Sequence, residues 1–322
     1  MAFPILGLHH VTATVDEAQP DLDFCVGALG LRLVKKTVNF DNHHVYHFYY
    51  GDERGTPGTL WTTFPYHGRG VKIGVKGAGQ VTCTSFSVPS ASLDFWERRL
   101  GARGVTTSRV QRFDDDAIEC ADPSGLHFEL IAAGNDARSP WIGSGIADDA
   151  AVRGLHSVTI EVRDPGPTIA LMHDLLGFEI TADRERRTRV AVNGSAPGKW
   201  IDVVRAPDAP AAVNGIGTVH HVAMAIERAD DQLRLREELL ARGLKVTEVR
   251  DRCYFQSIYF REPGGVLFEV ATTSPGFTSD EELASLGAGL KLPPWEEANR
   301  ADIEAHLTPI DVPAAGRSLP LR

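Results

Sequence analysis

The stretch "VHHVAMAI" at residues 219–226 repeats, with small changes, a stretch near the start of the chain, "LHHVTATV" at 8–15. Both are runs of β-branched and small apolar residues opened by two adjacent histidines, and both read as β-strands. Two weaker copies lie between them, "QVTCTSFSV" at 80–88 and "LHSVTIEV" at 155–162. A unit that recurs at a period of roughly 50 to 75 residues is the trace of a duplicated module.

The surroundings of each copy repeat as well. A helical pattern follows each opening strand and closes on glycine: "DLDFCVGALGL" (21–31), "SLDFWERRLGA" (92–102), "TIALMHDLLGF" (168–178) and "DDQLRLREELLARGL" (230–244). Apolar residues spaced by three and four before a glycine mark a helix and its stop. Further strand-like stretches come next, ending in "GTLWTTF" (58–64), "SGLHFELI" (124–131), "GKWIDVV" (198–204) and "GGVLFEVA" (264–271). The module is therefore β-α-β-β-β, written four times, and the fold class is α+β. An N-terminal half, 1–132, holds modules 8–66 and 80–132; a C-terminal half, 154–274, holds modules 154–206 and 217–274. The Gly-, Ala-, Asp- and Pro-rich segment 133–153 reads as a linker between them. Residues 275–322 read as a tail with short helices packed back over the body.

Composition bounds what such a chain does. Its 322 residues are 43% apolar and 24% charged, enough to bury a core in water. A net charge of −10 with no basic block argues against a nucleic-acid or anionic-membrane partner. The basic clusters, Lys35-Lys36 and Arg184, Arg186, Arg187 and Arg189, read as solvated faces. The four cysteines show no C-x-x-C spacing, so neither a disulfide framework nor a thiolate zinc site is indicated. No signal-peptide pattern opens the chain and no apolar run reaches the ~18 residues of a membrane helix, which places it in the cytoplasm. Oligomeric state is left open, a homo-oligomer included.

Side chains alternate faces along a regular strand, so two adjacent histidines supply at most one ligand to a given site. His9 shares a face with Val11, Ala13 and Val15, and His220 with Val222, Met224 and Ile226. Those are apolar sets, expected under a helix. His10 and His221 travel with Thr12 and Thr14, and with Ala223 and Ala225, which leave space for a ligand. The other two modules carry Cys83 and Ser157 at the His10/His221 position. The four last strands carry Thr62, Glu129, Asp202 and Glu269 at corresponding points. One set thus keeps two histidines and a carboxylate: His10, His221 and Glu269. Two imidazoles and one carboxylate with open positions form the facial triad of non-haem Fe(II) sites that activate oxygen. Metal coordination would also offset the cost of a carboxylate in the apolar strand "GGVLFEVA".

The β-α-β-β-β repeat resembles the vicinal oxygen chelate superfamily (glyoxalase, bleomycin resistance and extradiol dioxygenase proteins). That resemblance implies modules paired into two curled mixed-sheet cups, with metal ligands on first and last strands. Four stretches narrow it further: "GTPGTLWTTFP" (55–65), "NDARSPW" (135–141), "YFQSIYFREPGGVLFE" (254–269) and "GFTSDEELASLG" (276–287). They resemble the ring-cleaving dioxygenases that act on hydroquinones, nearly end to end and through the tail. The resemblance implies the same ligands, His10, His221 and Glu269, holding Fe(II), with Mn(II) as the alternative. Its implied partners are O2 and a small hydroquinone- or catechol-type aromatic.

The family's pattern also places His9 and His220 near the pocket, against their assignment to the helix-covered face by strand parity. Tyr259 lies ten residues before Glu269 across the "EPGG" turn (262–265), and a hairpin there would set the two side chains close together. Its hydroxyl would donate to a substrate oxygen, and Arg252 would stabilise an anionic intermediate. Cys253 is expected to bear on pocket size and Phe277 to cap the pocket. His43, His44 and His47 in "DNHHVYHFYY" (41–50) have no recurring carboxylate partner and read as structural. Two rival functions stay open at this stage. A glyoxalase-like isomerase would want a carboxylate at Thr62 to complete four ligands, and a metal-free binding or resistance module would not need the His-His-Glu set.

Overall fold

A computed structural model describes residues 2–312. Each of the four repeats folds as a strand, a helical segment and three more strands. The first comprises β1 (Ile5–Val15), α1 (Ala18–Leu22), β2 (Arg32–Asn39), β3 (Asn42–Gly51) and β4 (Leu60–Pro65). The second comprises β5 (Gln80–Val88), α2 (Leu93–Gly101), β6 (Thr107–Arg112), β7 (Asp115–Ala121) and β8 (His127–Ala132). In the third are β9 (Gly154–Val162), α3 (Pro165–Asp174), β10 (Glu179–Arg184), β11 (Arg187–Ala191) and β12 (Trp200–Arg205). In the fourth are β13 (Thr218–Ile226), α4 (Ala229–Ala241), β14 (Arg250–Asp251), β15 (Gln256–Arg261) and β16 (Leu267–Thr272). Helices α3 and α4 stop where Gly177 and Gly243 adopt φ of +74° and +82°, which a residue with a Cβ rarely tolerates. The first helical segment is irregular: beyond α1 the chain widens into a π turn over Asp23–Ala28.

The modules pair first with fourth and second with third. One eight-stranded sheet runs β14-β15-β16-β13-β1-β4-β3-β2, and the other runs β10-β11-β12-β9-β5-β8-β7-β6. Each is a curled mixed sheet, with β1 and β13, or β5 and β9, antiparallel at its centre. Each half of the chain thus gives one module to each cup. Val11, Val15, Val222, Met224 and Ile226 face the apolar core, together with Leu22, Leu235 and Leu239 from the helical segments.

Both central seams carry paired β-bulges. Leu8 pairs with Met224 and His10 with Ala223, so His9 has no partner opposite it. Thr12 pairs with His221 and Ala13 with Val219, so His220 is likewise the extra residue. The second sheet repeats the irregularity at Thr82 and His156. A bulge breaks the alternation of side chains, so parity across it no longer holds.

The segment 133–153 is tied down rather than loose. Arg138 donates to the carbonyls of Gly58 (2.9 Å) and Leu155 (2.8 Å), and Trp96 donates to that of Ala150 (2.9 Å). Downstream, short 3-10 turns and α5 (Arg300–His306) pack back on the first module through Leu292, Ile303 and Leu307 against Val38. The last part of the expected tail, 313–322, lies outside the described residues. Lys35, expected on a solvated face, is instead fully buried and binds Asp280 and Glu281 of this tail, each at 2.6 Å. No helix among the described residues is long and apolar enough to cross a membrane.

Candidate metal centre

Three of the sequence-selected residues meet at the floor of the first cup. His10 Nε2 lies 3.2 Å from His221 Nε2, and both face Glu269 Oε2, at 3.3 and 2.8 Å. All three residues are buried, His221 most exposed at 6%. Among the described residues this is the fully buried group of three potential metal ligands; two others are at least partly exposed. Ser257 donates to Glu269 Oε1. Oε2 is buried and makes no geometrically satisfied hydrogen bond, although two imidazole Nε2 atoms face it. An orphaned buried carboxylate oxygen facing two imidazole nitrogens is costly in an apo protein and is resolved by a bound cation. Burial pushes the Glu269 carboxyl up, but His10 and His221 outweigh it and hold it well below the usual range. Burial pushes His221 down, toward the neutral form a metal requires.

The bulges decide what the first histidine of each pair does. His9 Nδ1 stands 2.9 Å from His10 Nδ1, and His220 Nδ1 stands 2.8 Å from His221 Nδ1. The expectation that His9 and His220 join the apolar face is therefore overturned: as bulged residues, both turn toward the site. Burial first, then the neighbouring imidazole, pushes each down to about 3, so both are neutral. A neutral imidazole can accept the Nδ1 proton of its neighbour, which fixes the tautomer and leaves Nε2 toward Glu269. His9 is packed behind, with its ring 4.9 Å from that of Phe255, whereas His220 lines the cavity.

That cavity measures about 450 Å³ and is walled by His10, His221, Tyr259, Phe64 and Phe255 among others. It falls in the range of small-molecule sites. Tyr259 on β15 pairs directly with Glu269 on β16, as the hairpin reading required. Arg252 Nε donates to the Tyr259 hydroxyl oxygen at 3.0 Å, and its guanidinium also reaches Asp41 at 3.4 Å. Burial, reinforced by Glu269, raises the Tyr259 hydroxyl, which therefore stays protonated.

Other expectations fail. Phe277 does not cap the cavity; it is buried against Tyr49 and Tyr254, with ring centres at 5.0 and 4.8 Å. Cys253 is not part of the lining and packs against an apolar cluster that includes Tyr254, Phe277 and Leu286. His47, read as structural, does line the cavity, while His43 and His44 bind Glu296 (2.9 Å) and Asp302 (2.8 Å) outside it. The period of two along β3, which puts His47 in line with Tyr49, was the available signal. It carried no information about which face meets the site.

The second cup lacks this chemistry. At the corresponding positions stand Cys83, Glu129, Ser157 and Asp202. Arg112 meets Glu129 at 2.6 Å, while Arg189 and Arg187 meet Asp202 at 2.7 and 3.0 Å. Here guanidinium groups, rather than a metal, balance the buried carboxylates. The arginine run 184–189 is thus only partly solvated, because Arg189 is buried.

Comparison with known proteins gives the family. Residues 154–270 match the glyoxalase/bleomycin resistance protein/dioxygenase superfamily. A Bacillus subtilis (strain 168) protein named as a ring-cleaving dioxygenase, MhqO, is 40% identical over 97% of this chain and 99% of its own. The chlorohydroquinone/hydroquinone 1,2-dioxygenase of Sphingobium indicum is 36% identical, covering 92% of this chain and 94% of its own. The chain belongs to the ring-cleaving dioxygenases of this superfamily. A crystal structure of a protein named as a dioxygenase, from B. subtilis strain 168, superposes on the enzyme with a TM-score of 0.91. It is 40% identical and covers 97% of this chain and 99% of its own. Glyoxalase I from Zea mays shares the fold alone, with a TM-score of 0.61 at 15% identity, covering 83% of this chain and 92% of its own. The dioxygenase thus has the two-cup architecture of the superfamily and a site in one cup suited to a metal-dependent enzyme.

Proposed function

We propose that this dioxygenase uses Fe(II), held by His10, His221 and Glu269, to insert O2 into the ring of a hydroquinone- or catechol-type substrate. One observation carries the reading: among the described residues the cup brings together three buried potential ligands and no fourth. The position that carries a carboxylate in the other three modules is Thr62 here, whose hydroxyl bonds Thr12 and His47 (2.7 and 2.9 Å). Three protein ligands with open positions suit Fe(II) that must take both an aromatic oxygen and O2. Mn(II) is the alternative occupant. The glyoxalase-like isomerase is disfavoured by the same absence of a fourth carboxylate. Iron held by His10, His221 and Glu269 would supply the chemistry that the side chains lack, Lewis-acid and redox activation of dioxygen and the aromatic substrate.

The protein supplies the rest. Because the Tyr259 oxygen accepts from Arg252, its own proton is free to be donated to a substrate oxygen. The Arg252 cation, part-buried, favours negative charge developing on the ring. His220 Nε2, which carries the ring proton because Nδ1 accepts from His221, offers a neutral donor to a substrate oxygen. Phe64, Phe255 and Tyr49 exclude water around the ring. Four unpaired thiols support placing the enzyme in the reducing cytoplasm.

The test is anaerobic loading with Fe(II) or Mn(II), followed by an oxygen electrode trace with hydroquinones and catechols. Uptake stoichiometric with ring loss in the iron-loaded protein is expected. A protein that binds iron yet consumes no oxygen with any dihydroxyaromatic overturns the assignment.

A further inference from the structure

We propose that His47 orients the substrate, as a hydrogen-bonding edge in the sector of the cup that lacks a fourth metal ligand. The inference deepens the dihydroxyaromatic reading and rests on it. His47 lies on β3, opposite Thr37, with its side chain 9% exposed and part of the cavity wall. Its Nε2 is tied to Thr62 Oγ1 at 2.9 Å, and Thr62 is tied to Thr12 Oγ1 at 2.7 Å. Thr12 and Thr62 are both fully buried, and Thr62 is not itself part of the lining. The relay therefore runs from the cavity wall inward, and the Nε2 edge of the ring is its inner edge.

The rings of Tyr49 and Phe64 pack against the imidazole, with centres at 4.0 and 4.3 Å. With Nε2 committed and aromatic rings packed on it, the imidazole has its Nδ1 edge left for the cavity. Nδ1 makes no hydrogen bond to any described residue. Such an arrangement is preorganised: the rotamer is locked by packing and by one hydrogen bond, so little ordering entropy is lost when a ligand hydroxyl arrives. Module symmetry explains why this residue is needed. Where Glu129, Asp202 and Glu269 stand in the other modules, Thr62 stands here behind His47, so His47 is the polar group that this side of the wall presents to a ring held at the metal. His47 supplies a second point of attachment for a ring hydroxyl on that side, which is what selects a diol over a simple phenol.

The test is a thermodynamic cycle on the anaerobic Fe(II)-loaded enzyme, using calorimetric titration with hydroquinone, catechol and phenol. In the unaltered enzyme at least one diol should bind about tenfold tighter than phenol, the value of one well-placed hydrogen bond. His47→Ala should erase that preference while leaving phenol affinity and bound iron within about twofold. His47→Gln should restore part of it, and Thr62→Val, which frees Nε2 but keeps the imidazole, should lose a smaller part. A structural role would instead lower the affinity for all three ligands alike, or reduce bound iron, and either result overturns the proposal. Unaltered enzyme that consumes oxygen with a dihydroxyaromatic while His47→Ala keeps its diol preference overturns this inference alone. Unaltered enzyme that binds no dihydroxyaromatic removes the functional reading and this inference with it.

Discussion

Replacing His9 by alanine tests the claim that bulged histidines hold the ligands. The change removes the acceptor 2.9 Å from His10 Nδ1 and leaves that nitrogen unsatisfied in a residue only 2% exposed. A buried polar group without a partner costs about 1–3 kcal/mol. Read as metal affinity, that is roughly 5- to 150-fold, which brackets the ~10–100-fold seen when the outer partner of a metal-bound histidine is lost. His220→Ala removes the equivalent contact at 2.8 Å and should cost the same in metal binding. The two variants should differ in one respect: His220 lines the cavity and His9 does not. His220→Ala therefore raises the substrate Kd as well, whereas His9→Ala leaves it near the unaltered value once metal is saturating. Competitive chelator titrations under nitrogen, with His9→Gln to keep a hydrogen-bonding side chain in place, give the metal constants. Both alanine variants binding metal within threefold of the unaltered protein would refute the reasoning, since the Nδ1 contacts would then be incidental.

Three further outcomes follow from named contacts. Tyr259→Phe removes the oxygen that Arg252 meets at 3.0 Å and the proton offered to substrate; kcat in oxygen uptake should fall by about 100-fold at unchanged iron content. Lys35→Ala strands Glu281, which is 9% exposed, and should cost about 3 kcal/mol, read as a lower Tm with faster amide exchange over 277–290. Unchanged exchange there would show that the pair does not hold the tail. Asp21 is buried against Tyr50 and Thr63, and burial raises it to about 6, with Asp122 nearby raised to about 7. A carboxyl raised in the folded state stabilises most below its unfolded value of 3.8 and loses that contribution as pH climbs through about 6. Denaturant titrations should thus show Asp21→Asn flattening the decline in stability between pH 4 and 6 by up to about 3 kcal/mol. An unaltered slope would place the titrating group elsewhere.

The module repeat, the α+β class and the clustered His-His-Glu trio were legible because each depends on local pattern or on position within a repeat. Strand periodicity, glycine helix stops and the unequal survival of histidines across four copies are written in the chain. His10, His221 and Glu269 could be chosen before any fold was known, because only one set of equivalent positions retained two imidazoles and a carboxylate. Tyr259 was reachable by the same route, since a hairpin with a short turn fixes its own register.

What tertiary structure alone decided was everything that depends on irregular pairing or on distant chain segments. Parity assigned His9 and His220 to the core, but bulges opposite Met224–Ala223 and Ala13–Thr12 turn both toward the site, and nothing in "HHV" announces a bulge. Lys35 looked solvated because the partners that neutralise it, Asp280 and Glu281, lie some 245 residues away. His47 looked structural because its role depends on Thr62 and on the cavity closing over β3. The sequence by itself determined which side chains can bind a metal, since ligand chemistry belongs to the residue. The pairing of first module with fourth determined that they meet, because a site between strands 211 residues apart exists only once the sheet has closed.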